Sequence, residues 1–159
     1  LASEMFLLRT GTKMIHVPYK GSGPAAVDLA GGLVQVMFAT APAVMPLIRG
    51  NRLRPLGVAS NARSVFLPDV PTMKEAGVAD FVADNWYGVL VPTGTPKPVI
   101  ERLQREIAKA VGQSDAKERF FGAGLVARPS KTSLEFGAFV ENDVARWATV
   151  IKQANIKME

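Results

Sequence analysis

Apolar residues along this chain come in short blocks punctuated by glycine and proline. Met14-Ile-His-Val-Pro-Tyr19 is the first block and predicts a strand, with Pro18 at its end, where a missing N–H is tolerated. Gly21-Ser-Gly23 makes a tight turn, and Pro24 fits the first position of a helix that runs to about Leu29 and stops at Gly31-Gly32. Val34-Gln-Val-Met-Phe-Ala39 predicts a second strand, nearly all apolar, as suits a strand buried on both faces. Pro42 opens another helix that ends near Arg49-Gly50, and Leu53 to Ser60 predicts a third strand. Residues 14–60 thus read strand–helix–strand–helix–strand, the order of a parallel sheet with right-handed crossovers.

Beyond residue 60 the period changes. Thr72 and Glu75 form a capping box, which predicts a short helix ending at Gly77. Phe81 to Val91 is mostly apolar and predicts a long strand or crossover segment. Thr95 and Pro96 predict a helix start, and Val99, Ile100, Leu103, Ile107, Ala110 and Val111 carry helical spacing through to Gly112. Ser114 caps a short helix that Gly122 and Gly124 close, and Leu125-Val-Ala127 predicts a short strand. Thr132 and Glu135 form a second capping box, opening a long helix whose apolar stripe runs from Leu134 through Phe136, Phe139, Val140, Val144, Trp147 and Val150 to Ile151. Leu1 to Arg9 reads like the middle or end of an amphipathic helix, and without an initiator methionine the chain is expected to be part of a longer protein.

Composition narrows the classes. The chain has 159 residues, 48% hydrophobic and 21% charged, as a globular domain does. No apolar run reaches the roughly 18 residues of a membrane helix, and Glu4 and Arg9 interrupt any signal-peptide core. There is no cysteine, so disulfides and Cys-based zinc sites are excluded, and no Asp/Glu/His cluster has metal spacing. The net charge of +5 raises nucleic acid as a partner. The charge is spread, however: residues 1–92 hold 8 basic and 6 acidic side chains and residues 93–159 hold 11 and 8. No basic arm is interleaved with aromatics, so no nucleic-acid partner is expected. A mildly positive surface would instead help to attract a small anion.

The stretch Tyr19-Lys-Gly-Ser-Gly-Pro-Ala-Ala-Val-Asp28 carries the candidate chemistry. A strand ends, two glycines turn the chain, and a helix begins, so unpaired helical N–H groups and the dipole's positive end point at one place. With the helix starting at Pro24, the free donors would be Ala25 and Ala26, joined by the N–H groups of Ser22 and Gly23 and the Ser22 hydroxyl. That is a carboxylate or phosphate site; the same joint also serves as a plain tight turn. Walker A fails for want of a Lys-Ser/Thr pair, and the dinucleotide fingerprint fails because Ala26 stands at its third glycine. Asp28 lies inside the helix and is expected to partner the turn rather than the anion. A serine triad would need the lone His16, and G-x-S-x-G is absent. Asn85-Trp-Tyr-Gly88 reads as core packing or as a ligand wall. A small α/β enzyme that holds a phosphorylated substrate at Gly21–Ala25 is the alternative to a binding protein.

The motifs in their order resemble the solute receptors of tripartite tricarboxylate transporters, the Bordetella uptake gene family. The likeness rests on His16 to Gly32, Gln35-Val-Met-Phe38, Leu53 to Ser60, Leu67 to Thr72 with Glu75-Ala-Gly77, Trp86-Tyr-Gly88 and Pro92 to Pro98, and covers nearly the whole chain.

The resemblance implies an α/β protein of the periplasmic-binding-protein-like type II class: a parallel-sheet βαβ domain plus a mostly helical C-terminal part. It implies a periplasmic receptor that holds a small carboxylate between two domains, hands it to membrane components of the transporter, and uses no cofactor, metal or catalytic residue. The ligand site it implies comprises Tyr19, Gly21, Ser22, Gly23, Pro24, Ala25 and Asp28, with Ala39 and Thr40 facing the same cleft. Many relatives carry an acidic residue where this chain has Ala39, which bears on ligand preference. Because family members are about twice as long, residues 1–90 are expected to be the second domain and residues 91–159 the part that returns to the first, whose sheet precedes Leu1. The helix faces over 96–111 and 133–153 would then lack their sheet, and dimerisation through them is expected.

Overall fold

A computed structural model describes residues 1–156 of the chain; residues 157–159, the end of the expected C-terminal part, lie outside the described residues. Six helices form: α1 (Ala2–Thr10), α2 (Ser22–Ala30), α3 (Ala41–Arg49), α4 (Lys97–Gly112), α5 (Ser114–Gly122) and α6 (Ser133–Gln153). Among the described residues, no helix is long and apolar enough to cross a membrane. The chain divides into one compact unit of residues 1–85 with the chain from Val150 on, and another of residues 86–149.

In the first unit α1 ends where Gly11 turns left-handed (φ 66°) and its N–H donates to Leu7 O at 2.9 Å, a stop that glycine makes without a Cβ clash. Phe81 is the most enclosed large side chain, 2% exposed, with its ring 6.1 Å from Phe6 of α1 and 5.7 Å from Phe38; Phe6 and Phe38 are themselves 5.5 Å apart. Met5, Ala25, Ala26, Met45 and Val150 complete the buried apolar set. Helices α2 and α3 pack on each other, and the Arg52 guanidinium reaches Ala30 O at the end of α2 at 3.5 Å.

The three expected strands do not assemble into a sheet. Residues 14–19 and 34–39 form no ladder among the described residues, and Val58 instead pairs in parallel with Thr72. Val58 N–H donates to Pro71 O and Met73 N–H to Val58 O, both at 2.9 Å, while Ala83 N–H donates to Ala59 O at 2.8 Å. The expected strands over 81–91 and 125–127 are likewise unladdered. An apolar run specifies burial, whereas a ladder needs a partner backbone about 4.8 Å away, chosen by nonlocal packing. Near Val58 that partner is the turn after Pro71.

That turn also corrects a second expectation. The Thr72–Glu75 capping box closes in both directions: Glu75 N–H donates to Thr72 Oγ1 at 3.1 Å, and Thr72 N–H to Glu75 Oε2 at 2.7 Å. No α-helix follows; Gly77, at φ 94°, ends the segment after a single turn. At the second box, Glu135 N–H donates to Thr132 Oγ1, but the Glu135 carboxylate accepts from Lys131 N–H at 2.6 Å instead of from Thr132. Thr95 does not cap α4; its hydroxyl donates to Pro92 O at 2.8 Å.

In the second unit Trp86 stands edge-on to Phe136 (5.5 Å) and Phe139 (5.6 Å), and its indole N–H donates to Asp143 Oδ2 at 2.9 Å. Asp143 also accepts from Arg146, whose guanidinium lies 4.8 Å from the Trp147 ring. Burial pushes the Asp143 carboxyl up, and the Trp86 and Arg146 hydrogen bonds more than offset this, so it lies below the usual range. The aromatic pair 86–87 therefore divides: Trp86 is packed, and Tyr87 is 67% exposed.

Few apolar side chains are covered. Much of the α6 stripe is open, with Leu134 80% and Val144 64% exposed, and α4 buries none of its residues.

Two outcomes follow from these contacts. A Cβ on Gly88 would stand 2.2 Å from Phe136 Cζ, so Gly88→Ala is expected to cost about 1–3 kcal/mol in chemical denaturation, while Tyr87→Ala stays near wild type. Glu75 is held below the usual carboxylate range, first by its hydrogen bond from Arg63 Nε (3.0 Å) and then by Thr72 N–H. A depressed carboxyl contributes stability above its unfolded pKa and loses it as pH falls, so the melting temperature should drop below about pH 4 in wild type and by less in Glu75→Gln.

Candidate functional site

The helix after the glycine turn begins earlier than the sequence predicts. Gly21 is the N-cap of α2 at φ 121°, ψ 169°, a conformation closed to side-chain-bearing residues, and Ser22 is already the first helical residue. The i→i−4 ladder therefore takes up the N–H groups of Ala25 and Ala26, which pair back toward Gly21 and Ser22 and are buried at 7% and 3% exposure. The expectation that Ala25 and Ala26 offer free donors is corrected. Pro24 has no N–H, so the unpaired donors of the first turn are Gly21, Ser22 and Gly23.

These donors lie on open surface. Gly21, Gly23 and Pro24 are exposed and Ser22 half-buried. No side chain caps α2, and a Cβ built on Gly23 would meet nothing within 4 Å. The alanines behind the turn are what seat it: a helix face of Ala25 and Ala26 buries close to its neighbours and leaves the turn outward. A concavity of about 400 Å³ lies elsewhere, lined by Ile48 and residues 51–55 after α3, and none of the turn residues lines it.

Tyr19 and Asp28 come together across the turn. The Tyr19 hydroxyl donates to Asp28 Oδ2 at 2.7 Å, both side chains being half-buried. That hydrogen bond first, then burial and the Asp28 charge, hold the phenol above its usual range. Nothing local marks this pair, because nine residues separate it and no helix or strand period brings those positions together.

Thr40 is the N-cap of α3, with extended backbone and no side-chain cap bond, and Ala43 N–H donates to Thr40 O at 3.1 Å. Ala39, just before it, is exposed. Thr40 thus heads a second helix N-terminus, a position that Pro42 in the first turn signals in sequence. His16 and Lys20 are exposed. Among the described residues, no group of three His, Cys, Asp or Glu could hold a metal ion.

The chain is similar along its length to known proteins. The family model of the tripartite tricarboxylate transporter family receptor matches residues 1–156. Protein BugT of Bordetella pertussis is 40% identical over all of this chain and 48% of its own length. Rhodopseudomonas palustris Rpa4515, solved with adipate, superposes with a TM-score of 0.88 at 33% identity, over 98% of this chain and 52% of its own. MatC from the same organism, solved with malate, gives 0.84 at 30% identity, over 94% and 52%. The chain therefore has the α/β fold of periplasmic binding proteins and spans about half the length of these relatives. Among them the enzyme reading finds no counterpart.

The two glycines of the turn should respond differently. Gly21→Ala meets the positive φ and is expected to destabilise by about 1–2 kcal/mol. Gly23→Ala meets open space at an ordinary helical φ, so thermal unfolding should show no loss and a gain of up to about 1 kcal/mol.

Proposed function

Because the chain belongs to the tripartite tricarboxylate transporter receptor family, we propose that it supplies the second domain of a periplasmic solute receptor and binds one carboxylate group of a small dicarboxylate, tricarboxylate or acidic amino acid. The observation that carries the reading is the exposed, uncapped start of α2, where three unpaired backbone donors face outward at a helix's positive end. Gly21, Ser22 and Gly23 supply donors to the carboxylate, with the Ser22 hydroxyl beside them. Pro24 and Ala25 hold the helix start in place, and Thr40 with Ala39 forms a second wall from α3. The bound adipate and malate of the structural relatives support the ligand class.

In this reading residues 1–90 make the second domain, whose strand–helix–strand–helix–strand order over 14–60 is that of a parallel-sheet protein, and residues 91–159 return to a first domain. The bare apolar faces of α4 and α6 suit that return, and they give no separate ground for dimerisation. Closure of the two domains on the ligand is what transporter membrane components would read. Ala39, exposed and without charge, removes any carboxylate contact to a ligand amino group, which favours plain dicarboxylates over amino acids.

Differential scanning fluorimetry of the full receptor tests this. Adipate or malate at 100 times its Kd should add about 2.7 kcal/mol of stability, read as a rise in melting temperature. Gly23→Val, which crowds the donors without meeting protein atoms at its Cβ, should abolish the rise. A shift with glycerol phosphate and none with any carboxylate would overturn the reading.

A further inference from the structure

Tyr19 and Asp28 tie the entrance of the α2 turn to its helix. Gly21 has the freest backbone in the chain's vocabulary, it carries no cap, and neither Gly21 nor Gly23 has an atom within 4 Å of where its Cβ would stand. Among the described residues, the Tyr19–Asp28 bond at 2.7 Å is the side-chain hydrogen bond that spans the turn. It joins the residue two before Gly21 to the last turn of α2, so it restrains the chain on both sides of the donors. It also engages the one carboxylate on α2, whose free charge would oppose an anion at the N-terminus of the same helix.

We propose that the Tyr19–Asp28 hydrogen bond is a latch that pre-organises the Gly21–Gly23 donors, making Tyr19 a positioning residue for an anion that it does not touch. The proposal rests on the carboxylate-site reading above. Pre-organisation raises affinity because the ordering cost is met before the ligand arrives. A phenol bonded to a carboxylate suits this role, since a charge-assisted bond is short and directional; the raised phenol pKa agrees with it.

The test uses the full receptor, with adipate and malate as probes in isothermal titration calorimetry. Tyr19→Phe keeps the ring and loses only the hydroxyl, and should weaken binding about tenfold, while the apo melting temperature falls only by what the loss of one hydrogen bond on the folded protein accounts for. Asp28→Asn keeps an oxygen acceptor but loses the charge assistance, and should weaken binding by less than Tyr19→Phe. Tyr19→Phe combined with Asp28→Ala should be no weaker than Tyr19→Phe alone, because both remove the same bond. Additive losses, or a silent Tyr19→Phe, overturn the latch. If the wild-type protein binds neither probe, the carboxylate reading fails, and the latch is then judged without ligand: backbone order parameters at Ser22 and Gly23 should fall in Tyr19→Phe, and unchanged values overturn it.

Discussion

Phe81 sits at 2% exposure against Phe6 and Phe38, and those three rings come from parts of the chain that share no local structure: α1, the segment leading to α3, and the segment after the Gly77 turn. Burying an aromatic side chain contributes about 2–3 kcal/mol, and edge-on ring contacts add about 1 kcal/mol more. With few other covered apolar side chains in the first unit, this cluster carries a large share of its cohesion. Phe38 is two residues from Thr40, so fixing its ring also fixes where α3 begins. The N-terminus of α3 is thereby set by an aromatic contact and not by a side-chain cap.

The α2 turn depends on a different economy of size. Ala25 and Ala26 are small enough to let the helix lie close on its unit, and their burial leaves the preceding turn facing outward. Larger residues there would lift the helix, and a side chain at Gly21 could not hold φ 121°. What reaches solvent is backbone: N–H groups with no partner, bounded by Tyr19 on one side and Asp28 on the other. Backbone donors at the positive end of a helix suit a carboxylate by shape and dipole, which is the physical basis of the proposed site. On that proposal, selectivity comes from what stands around the donors, Ala39 among them.

Much of this was legible along the chain. Glycine and proline punctuation located α2, α3, α4 and α5 to within two residues, because those residues act on their own backbone and need no tertiary partner; the helix expected after Thr72 did not form. The glycine turn before α2 was legible for the same reason, as was the capping pair at Thr72 and Glu75. The strands were not: residues 14–19 and 34–39 carry the right apolar pattern, yet Val58 pairs with Thr72 instead. The donors were read in part: Ser22 and Gly23 stand, while the two-residue shift of the helix start removes Ala25 and Ala26 and adds Gly21. Nothing local in the sequence confines Gly88, and only the ring of Phe136 beside it shows that the position is limited by space.

The sequence by itself determined most of the helices, the glycine turn that opens α2 and, through the order of its motifs, the family. Each depends on local backbone preference or on residue identity. Tertiary structure decided which N–H groups stay unpaired, that Tyr19 reaches Asp28, that Trp86 is packed while Tyr87 is not, and how much apolar surface of α4 and α6 stays open. Those outcomes depend on distances between residues far apart in the chain, and a periodic pattern encodes which face is apolar without saying what will cover it.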